Sequence, residues 1–221
     1  MLKVDFHIHT GSEQLDRLRY TDKELIDRAA ELRFDAISIT NHEILTFSEE
    51  LRIYAEDRGI LLIPGSEINI EGKHVLVLNI CQDDVDNVKS FKDLEKLKSM
   101  KDILVVAPHP YFIMPNCLGR KLEKHIALFD AVEYAFFHTR LINRNRKAEA
   151  TAGKHNKPMV AFSDTHSIEH FGMTYTLIES EKDFKSIKNA IAKNKVKKVS
   201  PEIPLLDFLK IAVLALVKKE F

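Results

Sequence analysis

The sequence predicts an α/β fold in which strands alternate with helices. Short apolar, β-branched runs recur along the chain, and most are followed by a segment with helical periodicity. The size agrees: 221 residues, 45% hydrophobic and 30% charged, suffice for one domain with a sizeable core. With 7 Gly and 7 Pro the chain is neither disordered nor collagen-like.

Taken in order, the first strand is expected at residues 2–6 and the clearest helix at 22–33. There Thr21 and Glu24 supply a capping box, while Leu25, Ile26, Ala29 and Leu32 form a stripe at helical spacing. Further strands are expected at 35–39, 60–63, 75–80, 103–107, 131–134, 159–162 and 175–178. Helices are expected at 47–58, 88–100, 120–128, 141–156 and 184–193. Nearly all-apolar strands followed by helices argue for a parallel sheet covered on its faces. The pattern does not choose between a closed barrel and an open, doubly wound sheet.

Lys+Arg and Asp+Glu both number 33, so no global field draws the chain toward nucleic acid or anionic membrane. The lysine-rich stretch 182–198 is read as a solvated helix face and connector. Cys81 and Cys117 are too few for a disulfide framework, suit a reducing compartment, and are expected to pack in apolar surroundings rather than join the chemistry. Histidine appears in the first ten residues before any apolar signal core, so the mature chain is expected to start at Met1 and to be cytoplasmic. The apolar tail 203–217 is broken by Asp207 and Lys210 and is short of a membrane span. Residues 201–221 are therefore expected to form an amphipathic helix packed on the domain or at an oligomer interface, following a main domain of residues 1–200.

Six of the ten histidines fall at or beside expected strand ends: His7, His9, His42, His74, His109 and His166. In β/α folds those ends converge on one crevice, so distant residues meet there. In VDFHIH the period-2 alternation sends Asp5, His7 and His9 to one side, and Asp164 and His166 in FSDTHS repeat the spacing. His109 is held between Pro108 and Pro110. If Glu71-Gly72 turns a hairpin, His74 stands opposite Asn69 and on the same face as Glu67. Six histidines and two carboxylates exceed one tetrahedral zinc, so the count favours two or three cations bridged by Glu67 or Asp164. Nitrogen and oxygen donors suit Zn, Mn or Fe better than Mg.

The ordered series DFHIHT, ISITNHE, GSEI, KHVLVL, APHP, AVEY and FSDTHS resembles the PHP (polymerase and histidinol phosphatase) superfamily of metal-dependent phosphoesterases, from Asp5 to about Ile178. The resemblance implies a distorted, TIM-like, seven-stranded (β/α) barrel with a di- or trinuclear site at the carboxyl ends of its strands. It also implies roles. His7, His9 and Asp164 match ligands of a first metal, and Glu67 bridges to a second held by His74 and His109. His42 and His166 match ligands of a third. Two departures stand out: Asn41 replaces the Asp that often precedes the middle histidine, and TGSEQLD offers Glu13 or Asp16 where the family has another ligand for the third metal.

Metal-activated water and phosphoryl charge neutralisation make protein nucleophiles unnecessary, and no GxSxG or P-loop is found. Asp164 and His166 are expected to take part in catalysis, with His138 as proton donor to the leaving group. Arg17, Arg140 and Arg144 are candidate phosphate holders, with Arg19 and Arg146 nearby. The favoured substrate is a small phosphomonoester or nucleotide. The alternatives are a 3'-5' exonuclease-like phosphodiesterase on nucleic-acid ends, a non-catalytic metal-stabilised module, and, less favoured, an amidohydrolase.

Overall fold

Residues 1–13, 18–205 and 208 are described by a computed structural model. Arg17, Asp16 and most of the expected terminal helix lie outside the described residues. The strands are β1 (Leu2–Asp5), β2 (Ala36–Ile37), β3 (Leu61–Leu62), β4 (Gly65–Ile70), β5 (Lys73–Leu78), β6 (Leu104–Ala107), β7 (Ala131–Glu133), β8 (Met159–Val160), β9 (Tyr175–Ile178) and β10 (Val196–Val199). The helices are α1 (Asp22–Glu31), α2 (Glu49–Glu56), α3 (Gln82–Asn87), α4 (Phe91–Met100), α5 (Arg120–Lys124), α6 (Asn145–Lys154) and α7 (Phe184–Ala192).

The strands pair into two five-stranded sheets, ordered β10-β9-β1-β2-β3 and β4-β5-β6-β7-β8. Neither is wholly parallel as the sequence suggested: β9 runs antiparallel to both β1 and β10, and β5 antiparallel to both β4 and β6. A single closed ladder of seven strands is not found among the described residues. The sheets are joined instead by two isolated parallel bridges, Ile8 to Thr165 and His42 to Glu67, both beside the histidines.

Period-2 alternation explains how two sheets share a core. On β5, Leu76 and Leu78 turn toward a cluster holding Val4, Phe6 and Ala36 of the other sheet, along with Leu104, Val106, Val160 and Phe162. Val75 and Val77 turn the other way, to Leu94, Leu97 and Leu122 on the covering helices. A third cluster packs Leu25, Ile26 and Ala29 of α1 against Ile8, Ile37 and Ile39. Phe6 and Phe162 meet at 5.3 Å between ring centroids, each fully buried, and each such ring contributes roughly 2–3 kcal/mol.

Helix α1 has the expected capping box: Thr21 Oγ1 accepts from the Glu24 N–H at 3.2 Å, and Glu24 Oε2 accepts from the Thr21 N–H at 2.7 Å. It stops at Glu31 rather than 33, where Arg33 takes φ +57°. The helix expected at 88–100 begins at Phe91, because Ser90 caps α4 in a box with Asp93, and the short α3 before it lies outside the expected span. The helix expected at 141–156 begins at Asn145, and Leu141 before it is 80% exposed. The lysine-rich stretch divides into α7 and the strand β10.

Candidate metal centre

The hairpin of β4 and β5 sets the geometry. Glu71 and Gly72 take φ +50° and +77°, the two positive angles of a tight two-residue turn, and Asn69 pairs with His74 as the spacing predicted. Glu67, two residues back, thus shares a face with His74. Gly65 begins the strand where a Cβ would stand 2.4 Å from Leu78 Cδ2 and 2.5 Å from Ser38 Oγ, so only glycine fits without displacing its neighbours.

Glu67 is 1% exposed and lies at the centre of five imidazoles. Its Oε2 stands 3.3 Å from His7 Nε2, 3.4 Å from His9 Nε2 and 3.1 Å from His42 Nε2. Its Oε1 stands 2.9 Å from His74 Nδ1 and 3.3 Å from His109 Nε2. Asp164 approaches from the opposite loop, with Oδ1 3.2 Å from His7 Nε2 and 3.4 Å from His9 Nε2. The His166 ring stacks on His9 at 4.4 Å between centroids. The eight residues singled out as metal ligands therefore converge on one place.

Residues behind the ligands hold them in position. Glu133 at the end of β7 accepts from His7 Nδ1 at 3.0 Å and from the His109 N–H at 2.7 Å, turning the His7 Nε2 toward Glu67. The His109 backbone is at φ +26° and Asp164 at +45°, so two ligand residues occupy the left-handed region that side chains normally avoid. Asp5 is fully buried, and its Oδ1 accepts from the N–H groups of His7 and Ser163 at 3.2 and 3.1 Å, tying the end of β1 to the loop that carries Asp164. Asn41 stays neutral and braces: Oδ1 accepts from the Thr10 N–H, and Nδ2 donates to Thr10 and Thr46.

Of the two substitutes considered for the third site, Glu13 is in place. One oxygen is 2.8 Å from His9 Nδ1 and the other 3.0 Å from His42 Nδ1. Glu133 acquires its contacts only when β7 reaches β1, although it lies in the AVEY segment. Cys117, expected to be mere packing, instead lines the cleft with Sγ 3.4 Å from His109 Nδ1, because the loop after β6 folds back over that ring. Asn116 beside it donates from Nδ2 to His74 Nε2 at 3.1 Å.

Electrostatics follow from burying opposite charges together. Burial disfavours charge on His7, yet Asp164, Glu133 and Glu67 outweigh it and raise its pKa to about 10. His9 and His109 are raised by the same contest. Burial would raise Glu67 and Asp164, but the surrounding imidazoles hold both well below the usual carboxylate range. Glu13 falls to about 2 against its own burial, through His42 and His9. Asp5, lacking a cationic contact of that strength, is pushed by burial up to about 7.

The donor set fits divalent cations. His9 Nε2 and Glu67 Oε1 are buried without a hydrogen-bond partner, inside a ring of nitrogen and oxygen donors. Triads such as His7, His9, Glu67 and His42, Glu67, His74 each offer ligand atoms within 4.8 Å of one another. Binding there displaces the protons that the carboxylates otherwise keep on the rings.

The cluster forms one wall of a cleft of about 540 Å³, a volume that includes the solvent at its mouth. The other candidate residues lie apart from it. His138 is 2% exposed, with Nδ1 against the Phe136 carbonyl at 3.1 Å, and it is not among the residues lining the cleft. Arg140 is exposed and also outside the lining, while Arg144 borders a small side cavity that shares His109, Phe112 and Phe137 with the cleft. Arg146 is exposed on α6, and Arg19 lines a separate groove that reaches His166.

Residues 143–196 match the model of the PHP-associated family. An uncharacterized protein of Methanocaldococcus jannaschii, MJ1587, is 25% identical over 129 residues, 55% of this chain and 75% of the relative. The fold is similar to that of a two-domain protein from Bacteroides vulgatus containing a predicted PHP-like metal-dependent phosphoesterase (TM-score 0.72, 21% identity, 95% of this chain and 68% of that one). It is also similar to the lesion-specific endonuclease PfuEndoQ from Pyrococcus furiosus (TM-score 0.63, 13% identity, 96% and 66%). The family match covers residues 143–196 alone, whereas the likeness of fold to the PHP-like protein extends over nearly the whole chain.

Proposed function

We propose that the protein hydrolyses a small phosphate monoester at a site holding two or three divalent cations, Zn, Mn or Fe. The observation that carries this reading is Glu67, a buried carboxylate with five imidazoles within 3.4 Å and Asp164 facing the same rings. Cations bound there supply Lewis acidity, acidifying water and neutralising charge on phosphoryl oxygens. His7, His9 and Asp164 would hold one ion, Glu67, His74 and His109 a second, and His42, His166 and Glu13 a third. Glu133 fixes the His7 ring so that little reorganisation accompanies the reaction. Hydrolysis joins a water oxygen to phosphorus, breaks the bond to the ester oxygen and gives that oxygen a proton. In this reading Asp164 takes the proton of the water, and His166, which lines the cleft, gives one to the leaving-group oxygen.

Similarity of fold to an endonuclease keeps a phosphodiesterase in view, but the charge lining favours a small substrate. The groove that reaches His166 along α1 carries Glu24, Asp27, Glu31 and Glu169 against Arg19 and Arg28, a poor track for a polyanion. None of the lysine-rich stretch lines it. Among the described residues no helix is long and apolar enough to cross a membrane, and both cysteines are free, in keeping with the cytoplasm we propose. The test is a panel of phosphomonoesters, phosphodiesters and short oligonucleotides with Mn, Zn, Fe and Mg added separately. Metal-dependent phosphate release from monoesters, lost by at least about a thousandfold in His9→Ala and Asp164→Ala, is the expected result. Unchanged rates in both variants contradict it.

A further inference from the structure

Facing the imidazoles and carboxylates, the cleft has a second wall that hydrolysis itself does not use. Phe112, Met114, Phe136 and Phe137 line it, drawn from the loops that follow β6 and β7. Phe112 and Phe137 meet edge to face with centroids 5.6 Å apart at 78°. Phe137 is held from behind by Phe208, stacked at 4.1 Å and 17°. All four lining side chains are half-buried, so the fold forgoes part of the hydrophobic gain of burying them.

Among the described residues the charges along the cleft all belong to the metal cluster, no lysine or arginine lines it, and Asn116 is already engaged by His74. The aromatic wall thus offers flat apolar surface, and Arg144 stands apart from it, on the side cavity that shares Phe112 and Phe137 with the cleft. Sugar hydroxyls seated against Phe112 and Phe137 would be stripped of water without replacement partners. A flat ring loses nothing there and gains offset or edge contacts with the phenyl groups.

We propose that the leaving group of the substrate carries an uncharged aromatic ring system seated against Phe112 and Phe137. The ester is then the monophosphate of a nucleoside or of an aryl alcohol, not of a polyol. This rests on the hydrolase reading above and adds the two phenylalanines as specificity-determining residues.

The experiment compares kcat/KM for adenosine monophosphate, phenyl phosphate and glycerol 3-phosphate in the metal-loaded wild type, Phe112→Ala, Phe137→Ala and Phe137→Tyr. Binding of adenosine, phenol and glycerol to metal-stripped protein is followed in parallel by saturation-transfer NMR. Since base stacking on an aromatic side chain changes affinity by roughly five- to a hundredfold, aromatic esters should exceed glycerol 3-phosphate by at least about tenfold. That ratio should fall below about threefold in each alanine variant and persist in Phe137→Tyr. Preference for the nucleotide or for the phenyl ester identifies which ring the wall takes. Turnover of all three esters at equal efficiency, or a ratio unmoved by both alanine variants, overturns the inference and leaves the hydrolase standing. Ring binding that the alanine variants abolish, without turnover of any ester, upholds the aromatic site and defeats the hydrolase reading.

Discussion

Glu133 shows how far a buried carboxylate works without touching a cation. It is fully buried, meets the His7 ring and the His109 amide, and so aligns two of the candidate ligands. Glu133→Gln should weaken metal affinity by about 10- to 100-fold while circular dichroism stays native, because the charge is lost and one of the two accepting oxygens becomes an NH2 that cannot accept. Equal affinity in a competitive chelator titration would count against this role. The protons matter too. With the His7 pKa raised to about 10, cation binding at pH 7 releases protons, so affinity falls as pH falls. Isothermal titration at pH 7 in buffers of different ionisation enthalpy should give different observed enthalpies; identical values would refute the coupling. The six histidines were legible because strand ends and period-2 spacing mark them, as was Glu67. Glu133 and Cys117 were not, because their roles depend on β7 and the loop after β6 closing over rings more than twenty residues distant, or fold-back contacts that spacing does not encode.

At the level of elements, sequence patterns served best where a local signal exists. The Thr21 and Glu24 box placed the start of α1, and Glu71-Gly72 placed the hairpin turn. They failed where residues serve the site or the surface instead of the pattern. β4 reads GSEINI, with Ser66 and Glu67 buried as polar groups, so alternation is masked. β10 reads VKKV and its lysines disguise a strand paired with β9. The hairpin also supplies a prediction. Gly65→Ala forces a methyl against Leu78 and Ser38 and should cost about 1–3 kcal/mol in urea unfolding, with metal affinity reduced because Glu67 shifts with its strand. An unchanged unfolding midpoint would show that the strand has more room than this geometry gives.

For the whole molecule, the antiparallel pairs are what the strand-helix alternation hid. Apolar runs do not announce the direction of their neighbours, and β5 and β9 reverse only because of the hairpin and the returning β10. The assembled site then governs global stability. Asp5, raised from 3.8 to about 7, holds its proton in the folded chain only below about pH 7, so its contribution declines as pH rises through that window. His7, raised from 6.5 to about 10, stabilises below its ordinary pKa and loses that contribution as pH rises through about 10. Glu13, lowered from 4.5 to about 2, stabilises above its ordinary pKa and loses that contribution as pH falls through about 2. Metal-stripped protein should therefore melt at a lower temperature at pH 9 than at pH 5, whereas saturating cation should reverse the order by binding the deprotonated rings. Scanning calorimetry at both pH values reads this directly, and an unchanged order on adding metal would oppose it.

The claim on which the rest depends is that Glu67 gathers cations from five imidazoles. Its most direct test is metal content per chain by inductively coupled plasma mass spectrometry, on wild type and Glu67→Ala equilibrated with Mn or Zn and desalted. Two or three ions per wild-type chain, falling to one or none in a folded variant, is the result expected. Less than one ion in the wild type, or the same content in both proteins, would contradict the account.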